Sequence, residues 1–220
     1  MVHILTYDTP HKKTQDLLLK LKMKGYSDIN VFATPWEERK NFKPLIPHRH
    51  HVPENIKLSQ LCENLSYTYT PTDISNINLN DDDIMLIGGA GIIPKELIGS
   101  KIINSHPAYL PNVRGLDSLK WAIINGQPIG VTTHIIDEHA DAGYLIRKEF
   151  VPLYYWDTFH SVANRQYEME IQMLVDSIEE LPHAELSPLP IHTVVNKRMP
   201  HRVELKLLKR FQTRLDNIYD

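Results

Sequence analysis

The chain has one cysteine, Cys62, among 220 residues. An intrachain disulfide and a cysteine-based zinc site are thereby excluded, and such sparing use of cysteine fits a reducing compartment. Charge of neither sign dominates. The 24 Lys+Arg and 27 Asp+Glu leave a formal charge of −3, so nothing predicts bulk attraction to nucleic acid or to an acidic membrane. No stretch approaches the ~18 uninterrupted apolar residues of a membrane span. The opening MVHILTYDTP lacks a basic segment followed by a long apolar run; no secretory signal is expected there, and a cytoplasmic location is. Glycine is scarce, and Asp8–Thr14, after the first apolar segment, contains none. A glycine-rich phosphate cradle is therefore missing from a place where α/β folds often have one.

What is present suits a globular protein. Hydrophobic residues make up 42% and charged residues 23%, ordinary values for one domain or one domain plus a small appendage. Val2–Tyr7 and Asn30–Ala33 read as strands around a helix over Thr14–Gly25, the length of one βαβ unit. Pro35–Pro53 reads as a long loop, Ser59–Asn64 as a short helix and Ile84–Ile87 as a buried strand. Ile102–Ile103 runs straight into Asn104. Gly115–Asn125 reads as a helix, and Gly130–Ile136 and Tyr144–Val151 as strands. Asp157–Leu181 is the longest helix, with apolar residues every three or four positions and Asp157 at its N-cap. A basic amphipathic helix is expected near His201–Leu215. Strands alternating with helices predict an α/β fold, Rossmann-like, with a mostly parallel sheet. We expect a catalytic domain over 1–181 and a small C-terminal extension over 182–220.

Ligands of such sheets bind at the carboxyl ends of strands. That rule selects Gly88–Pro94, Asn104–His106 and Asp137–Gly143. Among these, His106 can exchange a proton near neutral pH, Asp141 can orient it, and Asn104 can donate an N–H to a developing oxyanion. No Ser or Cys stands in a nucleophile context, which suggests direct transfer. A histidine in a strand-end loop is as readily a structural residue, and His134, inside a strand, can equally be core.

The stretch Gly89–Ile146 carries more specific information. It has Asn-x-His (Asn104, His106), a Leu-Pro loop with an Arg-Gly step (Leu110, Pro111, Arg114, Gly115) and an Ala-Ile helix. A Gly-Val-Thr-x-His strand (Gly130 to His134) and Asp-x-Gly (Asp141, Gly143) follow. In this order it resembles the folate-dependent formyltransferases. The resemblance implies that family's fold, Asn104, His106 and Asp141 as the catalytic set, and N10-formyltetrahydrofolate as co-substrate. It also implies a pterin slot between Gly89, Gly91, Ile92 and Ile93 on one side and Asp137, Ala140 and Asp141 on the other.

The amine that accepts the formyl group has to be read separately. Methionyl-tRNA and glycinamide ribonucleotide fit poorly, given the short C-terminal remainder and the missing glycine turn. A nucleotide-linked 4-amino-4,6-dideoxy sugar, destined for O-antigen or a related surface glycan, fits better. HKKTQDLL, PWEERKNF and KRMPH resemble the GDP-perosamine branch, with the thymidine-diphosphate-linked 4-amino-4,6-dideoxyglucose as competitor. The expected acceptor residues are Lys12 and Lys13 for a diphosphate, Trp36 for a base, and Arg39, Lys40 and Arg114 for charge. A formylfolate hydrolase and a folate-binding module are the readings outside transfer chemistry. His48, His50 and His51 are read as a loop, with no metal expected. The C-terminal helix is expected to pack on the domain or on a second copy in a homodimer.

Overall fold

The computed structural model describes residues 1–36, 43–48, 56–139, 141–191 and 194–219. In chain order the elements are β1 (Val2–Tyr7), α1 (Lys12–Met23), β2 (Ile29–Thr34), α2 (Leu58–Leu65), β3 (Thr68–Pro71), β4 (Ile84–Ile87) and β5 (Lys101–His106). There follow β6 (Arg114–Gly115), α3 (Ser118–Ile124), β7 (Gly130–Ile135), β8 (Tyr144–Phe150) and α4 (Phe159–Glu180). The chain closes with β9 (Ser187–Pro188), β10 (Val195–Asn196), α5 (His201–Glu204) and α6 (Leu207–Tyr219).

One sheet of eight strands runs β3-β2-β1-β4-β5-β7-β8-β9. The pairs from β3 to β5 are parallel, while β7, β8 and β9 join antiparallel. Side chains alternate across the parallel strands, as a period of two demands. Ile4, Leu86 and Ile103 face one side and meet α1, α2 and α4 through Leu17, Leu61 and Leu174. Leu5, Met85 and Ile102 face the other and are covered by irregular chain carrying Ile77, Ile93 and Leu97. A further cluster under β7 joins α3, α4 and α6 through Leu119, Phe159 and Phe211. At ~25 cal/mol per Å² of apolar surface, burying side chains of this size contributes roughly 1.5–3 kcal/mol each.

Several expected boundaries move. The first helix begins at Lys12, and the third at Ser118, because Arg114–Gly115 pairs as a strand with β10. The long helix is capped by Thr158 rather than Asp157. Thr158 Oγ1 accepts from the Ser161 N–H (3.1 Å) and Ser161 Oγ accepts from the Thr158 N–H (3.0 Å), a reciprocal capping box. Asp157 is held instead by Arg165, at 2.9 Å.

The C-terminal extension is bound to the core. Glu204 on α5 is completely buried and forms an ion pair with equally buried Lys120 on α3. The same carboxylate accepts from the N–H groups of Leu45 (2.9 Å) and Ile46 (3.1 Å). Burial alone would raise the Glu204 carboxyl; hydrogen bonds from Lys120, Leu45 and Ile46 outweigh it and hold it below the ordinary value. One buried charge thus ties together three distant segments.

Candidate active site

Strand β5 delivers Asn104 and His106 to one face of the sheet, two residues apart. His106 is buried, and its Nδ1 lies 3.2 Å from Asp141 Oδ1. The route by which Asp141 arrives differs from the expectation that it follows a strand's carboxyl end. β7 runs antiparallel to β5, pairing Ile103 with Ile135 and His106 with Thr132, so its carboxyl end points away from His106. The connection 136–143 has to fold back. Asp141 takes a left-handed conformation (φ 51°) and Gly143 another (φ 101°). A Cβ on Gly143 would lie 2.0 Å from the Ile135 carbonyl, so only glycine closes this return.

His134 on β7 completes the arrangement. It is almost wholly buried, and its Nδ1 lies 2.7 Å from the Ala142 carbonyl. A carbonyl only accepts, so Nδ1 carries the proton. Burial, with a smaller contribution from His106, pushes the His134 pKa down to about 4, so the ring is neutral at physiological pH. Its Nε2 is then an acceptor, and the Asn104 amide N–H stands 3.5 Å from it. His134 is core, as one of its two readings held, and it also orients Asn104.

The other oxygen of Asp141 accepts from the Gly115 N–H at 2.5 Å. Gly115 (φ 89°) lies against β10, where a Cβ would meet the Asn196 carbonyl at 2.2 Å. Beyond it, Asp117 accepts from Arg198 (3.0 Å) and from the Met199 N–H (2.8 Å). These contacts wall a cleft of about 860 Å³ whose lining joins His106, Pro107 and Asp141 to Gly115–Ser118, Val195–Arg198, Pro44, Pro47 and His48. Its size suits a small organic ligand.

The other expected residues fall elsewhere. Gly91 and Ile92 line a separate groove of about 390 Å³ with Tyr7, Thr34 and Asp73–Ser75. Ile93 and Ile136 share one apolar cluster, and Lys95 and Glu138 lie 3.9 Å apart, so the two loops flanking the expected pterin slot are neighbours. Gly89 abuts the His11 ring, and Asp137 accepts from the His139 N–H at 2.8 Å. Trp36 stands edge-on to Tyr7, 4.8 Å between centroids, in a third groove with Asp8 and Asp73, away from His106. Ala140, Arg39, Lys40, His50 and His51 lie outside the described residues.

Among the expected acceptor residues, the lysines and Arg114 make contacts within the protein. Lys13 is buried, 2.7 Å from Glu170 on α4. Lys12 lies 2.6 Å from Asp16 and over the Tyr167 ring. Arg114 is buried and donates to the Ile191 carbonyl at 3.0 Å. All three hold protein to protein. Among the described residues, the lysine and the arginine that line the cleft are Lys197 and Arg198; the KRMPH segment contained them, but nothing in its composition placed it beside His106. Among the described residues, no group of three or more His, Cys, Asp or Glu is placed to hold a metal ion, and no helix is long and apolar enough to cross a membrane.

Comparison with known proteins agrees with this chemistry. Residues 71–178 match the family described as Formyl transferase. The methionyl-tRNA formyltransferase of Citrifermentans bemidjiense is 33% identical over 123 residues, covering 54% of this chain and 39% of that one. That of Fusobacterium nucleatum is 31% identical over 140 residues, covering 62% and 42%. The chain thus spans less than half the length of either relative. Two sugar N-formyltransferase structures share the fold. One, from a Shewanella species, has a TM-score of 0.60 at 17% identity and covers 93% of this chain and 86% of its own. The other, from Helicobacter canadensis with folinic acid and dTDP-3-aminofucose, has a TM-score of 0.63 at 17% identity, covering 90% and 70%. The chain therefore has the formyltransferase fold.

Proposed function

We propose that the protein transfers a formyl group from N10-formyltetrahydrofolate to the amine of a nucleotide-linked 4-amino-4,6-dideoxy sugar. GDP-perosamine is the acceptor we favour. The observation that carries the proposal is the single cleft joining the His106–Asp141 pair to a cationic wall. A substrate with a reactive amine at one end and phosphates at the other fits such a cleft. That the Helicobacter relative is described with a nucleotide-linked amino sugar and a folate supports the reading.

In this mechanism the amine lone pair attacks the formyl carbon. The carbonyl π electrons move to oxygen, where the Asn104 N–H not facing His134 stabilises the negative charge. With Nδ1–H turned to Asp141, His106 uses Nε2 to take the proton that the attacking nitrogen loses. The C–N10 bond then breaks, and N10 leaves with that proton as tetrahydrofolate. Asp141 fixes the ring tautomer and stabilises the cation formed in between, while its second oxygen keeps Gly115 and the cleft wall in place. Pterin binding is assigned to the adjoining loops around Gly91–Ile93 and Asp137.

The test is a formylation assay with formyltetrahydrofolate and a panel of acceptors. Turnover of GDP- or TDP-linked 4-aminosugars is expected, with none of methionyl-tRNA or glycinamide ribonucleotide. Preference for the TDP sugar would overturn the perosamine assignment alone. Release of formate without any acceptor would make the protein a hydrolase. Turnover of methionyl-tRNA, the substrate named for the sequence relatives, would overturn the sugar reading.

A further inference from the structure

We infer that Lys197 and Arg198, in the C-terminal extension, form the subsite that holds the acceptor's phosphates. This rests on the nucleotide-sugar reading above. Among the described residues that line the cleft, the lysine and the arginine are Lys197 and Arg198. The lysines nearest in sequence to a usual phosphate loop are committed to protein contacts: Lys13 to Glu170 inside the core, Lys12 to Asp16. Lys120, which begins close to the cleft, is wholly buried against Glu204.

Lys197 and Arg198 differ from these in how they are held. Their backbone is fixed and their charged ends are not buried. The Lys197 carbonyl accepts from Trp121 Nε1 at 2.9 Å, while its ammonium has no ion-pair partner among the described residues. Arg198 gives Nη1 to Asp117 at 3.0 Å, which aims the guanidinium, and its side chain is still 53% exposed. The preceding residues are locked by pairing Val195 with Arg114 and Asn196 with Gly115. An aimed guanidinium and an ammonium with no ion-pair partner among the described residues, both lining one cleft, suit two linked phosphates. The fork of Arg takes oxygens in pairs, and Lys supplies a mobile point charge. Since Gly115 also donates to Asp141, the residue that seats this wall is the one that touches the catalytic carboxylate. The phosphate end and the reacting end of the cleft are thus set by one backbone segment.

The experiment has two independent readouts. In the first, kinetics with the sugar nucleotide compare wild type with Lys197→Glu, Arg198→Ala and the double variant, with Lys12→Ala as control. Losing a charge-assisted hydrogen bond costs on the order of tenfold or more in binding. The double variant should therefore raise the acceptor KM by at least about tenfold, with the formyltetrahydrofolate KM within about twofold and Lys12→Ala unchanged. In the second, pyrophosphate is titrated by calorimetry, which needs no turnover; binding to wild type and loss of it in Lys197→Glu is the expected result. The Lys197 side chain is exposed and its hydrogen bond with Trp121 is through the backbone carbonyl, so Lys197→Glu is expected to fold as wild type does, which its urea unfolding midpoint checks. If the acceptor KM stays within about twofold and pyrophosphate binding is unaltered or absent from wild type, the subsite is wrong. If wild type formylates no sugar nucleotide but pyrophosphate binding depends on Lys197, the subsite stands and the acceptor reading fails.

Discussion

The floor and the wall of the cleft are built by opposite strategies. The floor is made of adjacent strands: His106 and Asn104 come from β5 and His134 from its hydrogen-bonded neighbour β7. His106 meets Asp141, and Asn104 meets His134, within this small neighbourhood. The wall is assembled from 43–48, 114–118 and 194–199, which share no element. They are held by Asp117, by the short β6–β10 pairing and by the buried Lys120–Glu204 pair. Under the proposed function, the floor fixes the geometry of proton transfer. The wall can change with the acceptor, because its residues are tied to each other more than to the sheet.

This contrast can be broken first at the wall's anchor. Lys120→Met leaves Glu204 buried with two backbone N–H donors and no cation. Removing one partner of a buried ion pair costs about 3–5 kcal/mol. Urea unfolding should show a loss of that size, and Lys120→Met with Glu204→Gln should recover much of it, since the amide oxygen still accepts from Leu45 or Ile46. A single-variant loss below about 1 kcal/mol, within the range of exposed pairs, would mean the pair does not hold the wall.

At the floor the expected loss is in rate. Removing an acid–base group costs about 10²–10⁴-fold, so His106→Asn should lower kcat by at least about a hundredfold, or roughly 2.7 kcal/mol of barrier. Stability and the formyltetrahydrofolate KM should change little. A variant that keeps more than about a tenth of wild-type turnover would remove His106 from the mechanism.

The floor also carries a pH dependence that sets in nearer neutrality than the wall's, whose Glu204 carboxyl is held below the ordinary carboxylate value. Burial pushes the His134 pKa from the ordinary histidine value, near 6.5, down to about 4 in the fold. Between those values the unfolded chain binds a proton that the native chain does not. Stability therefore falls as pH drops from about 6.5 towards 4, by up to about 1.4 kcal/mol per pH unit. Above pH 7 this contribution is fully present. His134→Asn, whose amide can still donate towards Ala142, should flatten the dependence in urea melts at pH 7, 5.5 and 4.5. Parallel curves for the two proteins would show that another group controls acid stability.

The same division decides what could be read from the sequence. Floor residues lie in contiguous motifs at strand ends, where a local pattern and a local rule select them. Asp141 was identifiable through Asp-x-Gly, although the strand before it runs the other way and only a left-handed return brings it to His106. Most of the sheet followed from apolar periodicity, and boundaries failed where tertiary pairing won, as at Gly115. The wall depends on the register of Val195–Asn196 against Arg114–Gly115, across some 80 residues, and no local pattern encodes that. Burial of lysine is equally invisible: Lys13 and Lys120 look like solvent-facing helix residues until Glu170 and Glu204 are placed beside them.

The smallest expected effect is the sharpest test of that last point. Two lysines at the first strand-to-helix turn look, in sequence, like a phosphate site. In the fold they are unequal. Lys13 is 8% exposed and paired to Glu170 across α1 and α4, so its loss takes a cation from a buried carboxylate and confounds stability with binding. Lys12 can be removed cleanly. Its pair with Asp16 is an i, i+4 contact, a kind worth about 0.3–0.5 kcal/mol. Tyr167 also donates to Asp16, at 2.6 Å, and keeps that carboxylate engaged. Lys12→Ala should therefore shift unfolding by no more than about 0.5 kcal/mol, and leave the acceptor KM, its salt dependence and kcat as they were. A strong rise in acceptor KM, fading as salt screens the charge, would put the phosphates back at the first turn. The contrast between floor and wall would then have been drawn on the wrong side of the sheet.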